Sequence, residues 1–448
     1  MAAVDGPNTP RIPRLLKLTL DPIGYMEQYR QQYGPIFKVG RQPPYLIYIG
    51  DPQALQVLFA QPPEQFATDA SAGNLLKTLL GDHSVLLLDG DRHRRQRQLL
   101  MPPFHGDRLR TYGELMVTAA EQVCGHWRSQ QPFRVRPPMQ AITLRVILKA
   151  VFGVSEGERF DQFCRFTSAL LDTLSGPLRA SLIFFPILRQ DWGSWTPWGQ
   201  FLAHKRRVDA LIYAEIQDRR MALAQQQPLG DDILSLLMTA RDQAGQGMSD
   251  VELHDELMTL LLAGHETTAS ALSWALYWTH STPGVEEKLR RELASVSQPS
   301  AVVKLPYLTA VCQEALRLYP VALTTGVRVL RSPLTLGGYD LAAGSVLFPS
   351  IYLVHQNPEI YPEPQRFRPE RFLEGAFSAT EYLPFGGGHR YCIGAAMAMM
   401  EMKIVLATVL RRWQLRGPDK PIRPVRRGLT LAPPTHLAMV PTPTPILT

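Results

Sequence analysis

The stretch that most limits how this chain can fold is residues 249–283, SDVELHDELMTLLLAGHETTASALSWALYWTHSTP. Ser249 with Glu252 three residues later forms a capping box, and Thr282-Pro283 supplies a stop. The roughly 32 residues between them, at 1.5 Å each, predict a rod of about 48 Å, enough to cross a whole domain. Its middle is apolar on nearly every face, so neighbours must surround it. Gly264, His265 and Glu266 interrupt the run, which argues against a membrane span. A chain carrying such a helix has to build a large, mainly helical core around it.

The rest of the sequence agrees. Helical patterns recur near 22–34, 108–127, 140–153, 158–175, 199–225, 284–296, 306–318 and 393–412, while strand signals are confined to IFKVG, YLIYIG, GVRVL, LTLGGYDL and SVLFPS. The last 31 residues hold eight prolines and read as loops with one hairpin. With 45% apolar and 19% charged residues, the 448-residue chain can bury a core, and it shows neither repeats nor a linker. The expected fold class is mainly α with a minor β part, in a single domain over 1–448. The N-terminus, MAAVDGPNTPRIPRLLKLTLDP, has no apolar run of signal-peptide or anchor length. Four cysteines (Cys124, Cys164, Cys312 and Cys392) are far apart with no C-x-x-C pair, which suits a reducing cytoplasm better than a secreted disulfide scaffold.

The net charge of +7 is concentrated. Residues 403–427 hold eight Lys/Arg against Asp419 alone, and DRHRRQR at 91–97 carries four arginines and a histidine. Such clusters suit nucleic acid, anionic lipid or an acidic protein partner, or are simply solvated helix faces.

FGGGHRYCIG, residues 385–394, sets Cys392 in a glycine-rich turn just ahead of the apolar stretch IGAAMAMMEMKIVLATVLRRW. The cysteine therefore falls at or just before a helix N-terminus, where unpaired N–H groups and the helix dipole favour a thiolate. A thiolate can attack an electrophile, cycle through redox chemistry or ligate a metal. The glycines let a flat, bulky object approach the backbone closely.

Phe-Gly-x-Gly-x-Arg-x-Cys-x-Gly resembles the haem-binding loop of the cytochrome P-450 family, and every position matches. The resemblance implies the family fold, with haem b (iron protoporphyrin IX) between the long central helix and the helix after the cysteine. It makes Cys392 the thiolate ligand of the iron, favouring O–O cleavage. Phe385 would shield the sulfur, Gly386, Gly388 and Gly394 would clear space for the macrocycle, and Arg390 would meet a propionate. EALR at 314–317 and FRPERF at 367–372 resemble the segments in which Glu314, Arg317 and Arg371 form a buried charge network; such a triad is tolerable only if fully paired. AGHETT at 263–268 looks like the oxygen-binding segment: Ala263 and Gly264 would leave room for dioxygen, and Glu266 and Thr267 would be the catalytic pair that relays protons. Thr267 is equally suited to donate back to the Ala263 carbonyl. GDRHRRQR resembles the propionate-binding helix, with His93 and Arg97 at i, i+4, and Arg328 matches a propionate partner on the strand after the Glu-x-x-Arg helix. The resemblance runs from about residue 33 to residue 440.

The implied function is a cytoplasmic, monomeric haem-thiolate monooxygenase inserting one oxygen atom from O2 into an apolar substrate, with the chemistry belonging to the cofactor. At 448 residues there is no room for a fused flavin reductase, so a separate ferredoxin or flavodoxin would supply electrons, docking on basic residues such as Arg94, Arg95 and Arg412. No nucleic-acid partner or transmembrane anchor is implied. The segment DGDRHRRQRQLLMPPFHG looks most like bacterial members that hydroxylate long-chain fatty acids or terpenoids. Leu75, Leu76 and Leu79 on one helical face, Phe184 and Phe185, Ala263, Val321 and Leu323, and Leu431 match the family's substrate-contact regions. The aromatic-rich 178–198 segment is also suited to rest on a membrane surface. Two other readings keep a haem: a peroxide-using or hydroperoxide-rearranging enzyme, and a haem-based sensor without turnover. Substrate-dependent oxygen consumption separates the three.

Overall fold

The computed structural model describes residues 4–40, 43–68, 70–104, 106–173, 189–193, 195–296, 298–418, 420–428 and 430–444. The chain forms two compact units, each drawn from several segments: residues 1–74, 310–392 and 424–432 in the first, and 75–309, 393–423 and 433–448 in the second.

The first unit is organised on a five-stranded sheet in the order Ile36–Val39, Leu46–Ile49, Val346–Pro349, Arg328–Leu330, Phe66–Ala67. Leu46–Ile49 and Val346–Pro349 run parallel; the other neighbours are antiparallel. Alternation along the strands gives the sheet two different faces. Ile36, Ile47, Ile49 and Leu347 enter an aliphatic core with Leu55 and Leu58. Phe37, Tyr48 and Tyr352 enter an aromatic one with Tyr25, Met26 and Tyr29. Register pairs Phe37 with Tyr48 and Tyr48 with Phe348, and their rings stack at 5.3 and 5.1 Å across three strands. LTLGGYDL is a hairpin, Leu334–Leu336 with Tyr339–Leu341. Its Gly337 and Gly338 both take positive φ (55° and 82°), the backbone a two-residue turn of this hand requires.

The second unit is built around the helix Asp250–Ser281, 32 residues long, with the capping box at Ser249 and Glu252 formed. Ten consecutive residues, Thr268–Tyr277, are all buried, so neighbours enclose that half on every side. Ala263 is exposed and Gly264, Glu266 and Thr267 are half-buried, so the rod opens at mid-length. Helices Asp107–Cys124, Arg136–Phe152, Pro197–Ala224 and Ala395–Arg412 belong to this unit. Among the described residues no helix is long and apolar enough to cross a membrane.

The expected helices and strands are present, with differences. Helices Arg11–Leu20, Pro52–Ala60 and Ile233–Thr239 were not anticipated. The C-terminal region holds the expected hairpin, Val425–Arg427 with Thr430–Ala432. It also holds a strand, Ala438–Pro443, that pairs with Trp413–Arg416 and with Phe133–Arg134. Prolines disguise it. The carbonyl of Pro441 accepts from Gln130 at 2.8 Å, on the side away from Trp413–Arg416. Pro441 and, two residues on, Pro443 thus sit where no N–H is needed for that ladder.

Candidate functional site

In the first unit the glycine-rich loop closes on itself through backbone bonds. Gly386 N–H donates to Leu383 O at 3.0 Å, Tyr391 N–H to Gly388 O at 3.1 Å, and Cys392 N–H to Phe385 O at 3.0 Å. Gly386 and Gly388 take φ of 77° and 66°, a left-handed backbone that a side chain would strain. The three glycines expected to clear space differ. A Cβ at Gly394 would meet no heavy atom within 4 Å, whereas one at Gly388 would lie 3.2 Å from the Phe59 carbonyl oxygen. Gly388 therefore serves close packing and backbone shape rather than clearance. Cys392 is exposed; none of the four cysteines is in a disulfide. Burial pushes the thiols of Cys124 and Cys164 up to about 12 and about 11, which leaves both inert as thiolates.

Behind the loop, Glu314 and Arg317 are fully buried and Arg371 nearly so. Arg317 meets both Glu314 oxygens, Nε to Oε2 at 2.6 Å and Nη2 to Oε1 at 2.9 Å, and Arg371 Nε reaches Oε1 at 3.1 Å. The expected triad is formed, and backbone groups complete it: Arg368 N–H donates to Glu314, and the carbonyls of His355 and Pro364 accept from Arg317. His355 was not foreseen. Its Nε2 accepts the Leu383 N–H at 3.0 Å, which ties the triad to the start of the cysteine loop. Burial and the Arg317 charge push its imidazole down to about 3, so it stays neutral and able to accept.

Arg328 tests the cofactor. It is 3% exposed and lies over the rings of Phe59 and Phe66 at 4.8 and 5.3 Å. One nitrogen, Nη2, donates to Gly387 O at 3.0 Å; Nε and Nη1 are buried with no partner among the described residues. Burial, then the charge of Arg390, pushes its pKa down to about 10. A buried cation with unsatisfied donors beside a second cation calls for an anion. A haem propionate fits that requirement, and Arg390, half-buried with a 3.4 Å contact to Thr68, completes the pair.

In the second unit, the opening of the central helix carries the oxygen-segment residues. Thr267 Oγ1 donates to Ala263 O at 2.5 Å, the back-bond anticipated from sequence. Glu266 is engaged by the helix Arg136–Phe152: Arg136 Nη2 pairs with Oε2, and Gln140 Nε2 donates to Oε1 at 2.6 Å. Neither partner was foreseen. Gly264 is bare for packing rather than clearance, since a Cβ there would stand 2.8 Å from Ile147 Cδ1. On the helix Gly90–Leu100, His93 and Gln96 are buried and Arg97 half-buried on one face, with Arg92 and Arg94 outside. Arg95, expected among the docking arginines, is paired with Asp242 at 2.6 Å and Glu252 at 2.8 Å, which fastens this helix.

Of the substrate-contact candidates, Leu75, Leu79 and Leu431 are buried and Leu76, Val321 and Leu323 half-buried. Leu431 N–H donates to Val321 O at 2.7 Å, joining the hairpin to the segment after the Glu-x-x-Arg helix. Leu323 packs into the aromatic core of the sheet, which argues for a structural place. Phe184 and Phe185 lie outside the described residues. A groove of about 880 Å³ in the second unit, bordered by Tyr112, Arg145 and Arg219, includes none of the candidates.

Comparison with known proteins agrees with this geometry. The family model for cytochrome P450 matches residues 5–440. Cytochrome P450 135B1 of Mycobacterium tuberculosis is 38% identical over 395 residues, covering 87% of this chain and 81% of that protein. Cytochrome P450 135A1 of the same organism is 34% identical over 448 residues, covering 97% and 95%. Among solved structures, retinoic acid bound cyanobacterial CYP120A1 superposes with a TM-score of 0.85 at 26% identity, over 99% of this chain and all of that one. The cytochrome P450DA heme domain gives the same TM-score at 23% identity, over 99% and 98%, a likeness of fold alone.

Proposed function

Because the chain belongs to the cytochrome P450 family, we propose that its monooxygenase chemistry hydroxylates a long-chain fatty acid or terpenoid, with electrons from a separate ferredoxin or flavodoxin. The balance is RH + O2 + 2 H⁺ + 2 e⁻ → ROH + H2O. Haem b, the family's cofactor, supplies dioxygen activation when held by a thiolate. Cys392 provides that thiolate, and the Phe385 carbonyl fixes the cysteine's backbone through its 3.0 Å bond. Arg328 and Arg390 neutralise the propionates, with His93 and Arg97 as further donors. Thr267 Oγ1 keeps lone pairs free while it donates to Ala263, and turning that hydroxyl away from the carbonyl makes it a donor. Glu266 brings protons from outside.

The observation that carries the substrate class is the apolar character of the candidate contacts, led by buried Leu75, Leu79 and Leu431. The similar structure bound to retinoic acid, an isoprenoid carboxylic acid, supports the same class. At about 0.8 kcal/mol per buried CH2, affinity for such a site rises up to about fourfold with each added methylene. Titrating fatty acids of increasing length and a set of sesquiterpenes against the haem spin-state band tests this. Affinity climbing with chain length, followed under ¹⁸O2 by product carrying one labelled oxygen, is the expected result. Tighter binding of short polar aromatics removes the lipid class and leaves the monooxygenase.

A further inference from the structure

The helix Arg136–Phe152 grips one turn of the central helix with a single stripe. Arg136, Gln140, Thr143 and Ile147 are spaced four, three and four residues apart, one face of a helix. They meet three consecutive residues. Ile147 abuts Gly264, where a Cβ would come within 2.8 Å. Thr143 Oγ1 lies 2.9 Å from His265 Nδ1 and donates to His265 O at 3.1 Å. Arg136 and Gln140 donate to the two carboxylate oxygens of Glu266. Arg136 is 6% exposed and the Glu266 side chain 12%, so this is a sheltered pair rather than a surface one.

A tie that only joined two helices could sit anywhere along their length. This one sits where the central helix opens, one residue before Thr267, and it uses both oxygens of the acid expected to carry protons. In that arrangement Glu266 accepts at each oxygen and offers no proton. We propose that Arg136 and Gln140 are positioning residues that form a latch on Glu266, and that opening of this latch sets the rate of proton delivery. The inference rests on the reading of Glu266 as proton carrier. When Gln140 or Arg136 lets go, a solvent proton occupies the released oxygen, passes on toward Thr267 Oγ1, and Glu266 returns as carboxylate to the latch. Gln140 is the weaker, neutral half, so Oε1 is the oxygen released first.

The test uses haem-loaded protein with Gln140→Leu, which keeps the ion pair, Arg136→Gln, which removes the charge, and Glu266→Gln as reference. Three quantities are read: product formed per oxygen consumed, the solvent deuterium isotope effect on product formation, and equilibrium unfolding in urea. Glu266→Gln lowers product per oxygen by roughly ten-fold or more. Gln140→Leu and Arg136→Gln change the isotope effect, because opening of the latch no longer precedes and sets the proton transfer. A purely structural tie would change unfolding and leave the isotope effect alone. In the unfolding cycle of Arg136→Gln, Glu266→Gln and the double variant, the equilibrium constants depart from multiplicativity by about ten-fold. An unchanged isotope effect in both latch variants, beside a lowered ratio in Glu266→Gln, overturns the latch and spares the proton reading. An unchanged ratio in Glu266→Gln overturns both. Should Arg136→Gln fail to fold, Gln140→Leu and Arg136→Lys carry the isotope test, and the same outcomes support or overturn the latch.

Discussion

Arg328 shows how much a single side chain can reveal about what a chain must bind. Its Nε and Nη1 are buried without partners among the described residues, and Arg390 adds a repulsive charge. Without an anion this cation costs stability; with one it forms charge-assisted bonds of about 1.5–3 kcal/mol each. Arg328→Met should therefore leave the haem-free chain as stable as before or more so, and weaken haem retention by roughly ten- to a hundred-fold. Haem transfer to apomyoglobin measures the retention. A variant that holds haem as tightly as the parent would assign Arg328 to packing against Phe59 and Phe66. The arginine was legible in the sequence through its motif. Its unsatisfied state was not, because that depends on which carbonyls come within reach, and among the described residues the Gly387 carbonyl is the one that accepts from it. His355 was invisible for a similar reason: its role is set by a bond to Leu383, 28 residues away, with no local pattern to mark it.

At the scale of elements, the central helix was readable end to end, since its cap, length and enclosure are local properties of its composition. What it binds along its first half was not. His254 bridges Asp209 at 3.0 Å and Asp255 at 2.9 Å, Asp255 in turn accepts from the His83 N–H at 2.9 Å, and Tyr213 stacks on the imidazole at 4.4 Å. Lys205 holds the far side of Asp209 at 2.7 Å. Burial works against a charge on His254, but hydrogen bonds from its ring to the two carboxylates and their charges outweigh it, so its pKa is raised. A histidine raised on folding contributes stability that is fully present below its unfolded value near 6.5 and is lost as pH climbs through the folded value. Denaturation midpoints should fall on the alkaline side of that window, and His254→Gln should flatten the change while lowering stability at pH 6 by about 1–3 kcal/mol. Equal pH dependence in parent and variant would show that the imidazole is neutral throughout. The helices Arg11–Leu20 and Pro52–Ala60 begin among prolines (Pro10, Pro13 and Pro52) that read as loop signals, although a first helical turn accepts them.

At the scale of the whole molecule, the motifs sorted the chain correctly: family, cofactor and the mainly helical architecture with a minor sheet all follow from residues that are close neighbours in sequence. The contacts that tune the site come from pairings at long range. Arg136 and Glu266 are 130 residues apart, Arg95 and Asp242 147, and the strand Ala438–Pro443 reaches back to Phe133–Arg134. No short-range pattern carries such information; it emerges only when the chain has closed its loops. The haem-thiolate function proposed for this chain rests most on one atom, the Sγ of Cys392, an exposed cysteine outside any disulfide. The direct measurement is the absorption spectrum of the reduced protein under carbon monoxide, for the parent and for Cys392→His, Cys124→Ser, Cys164→Ser and Cys312→Ser. The red-shifted band of thiolate ligation should appear in the parent and in all three serine variants, and should vanish in Cys392→His while haem is still bound. A band that survives in Cys392→His, or that is lost with any one of the other three cysteines, would contradict the assignment.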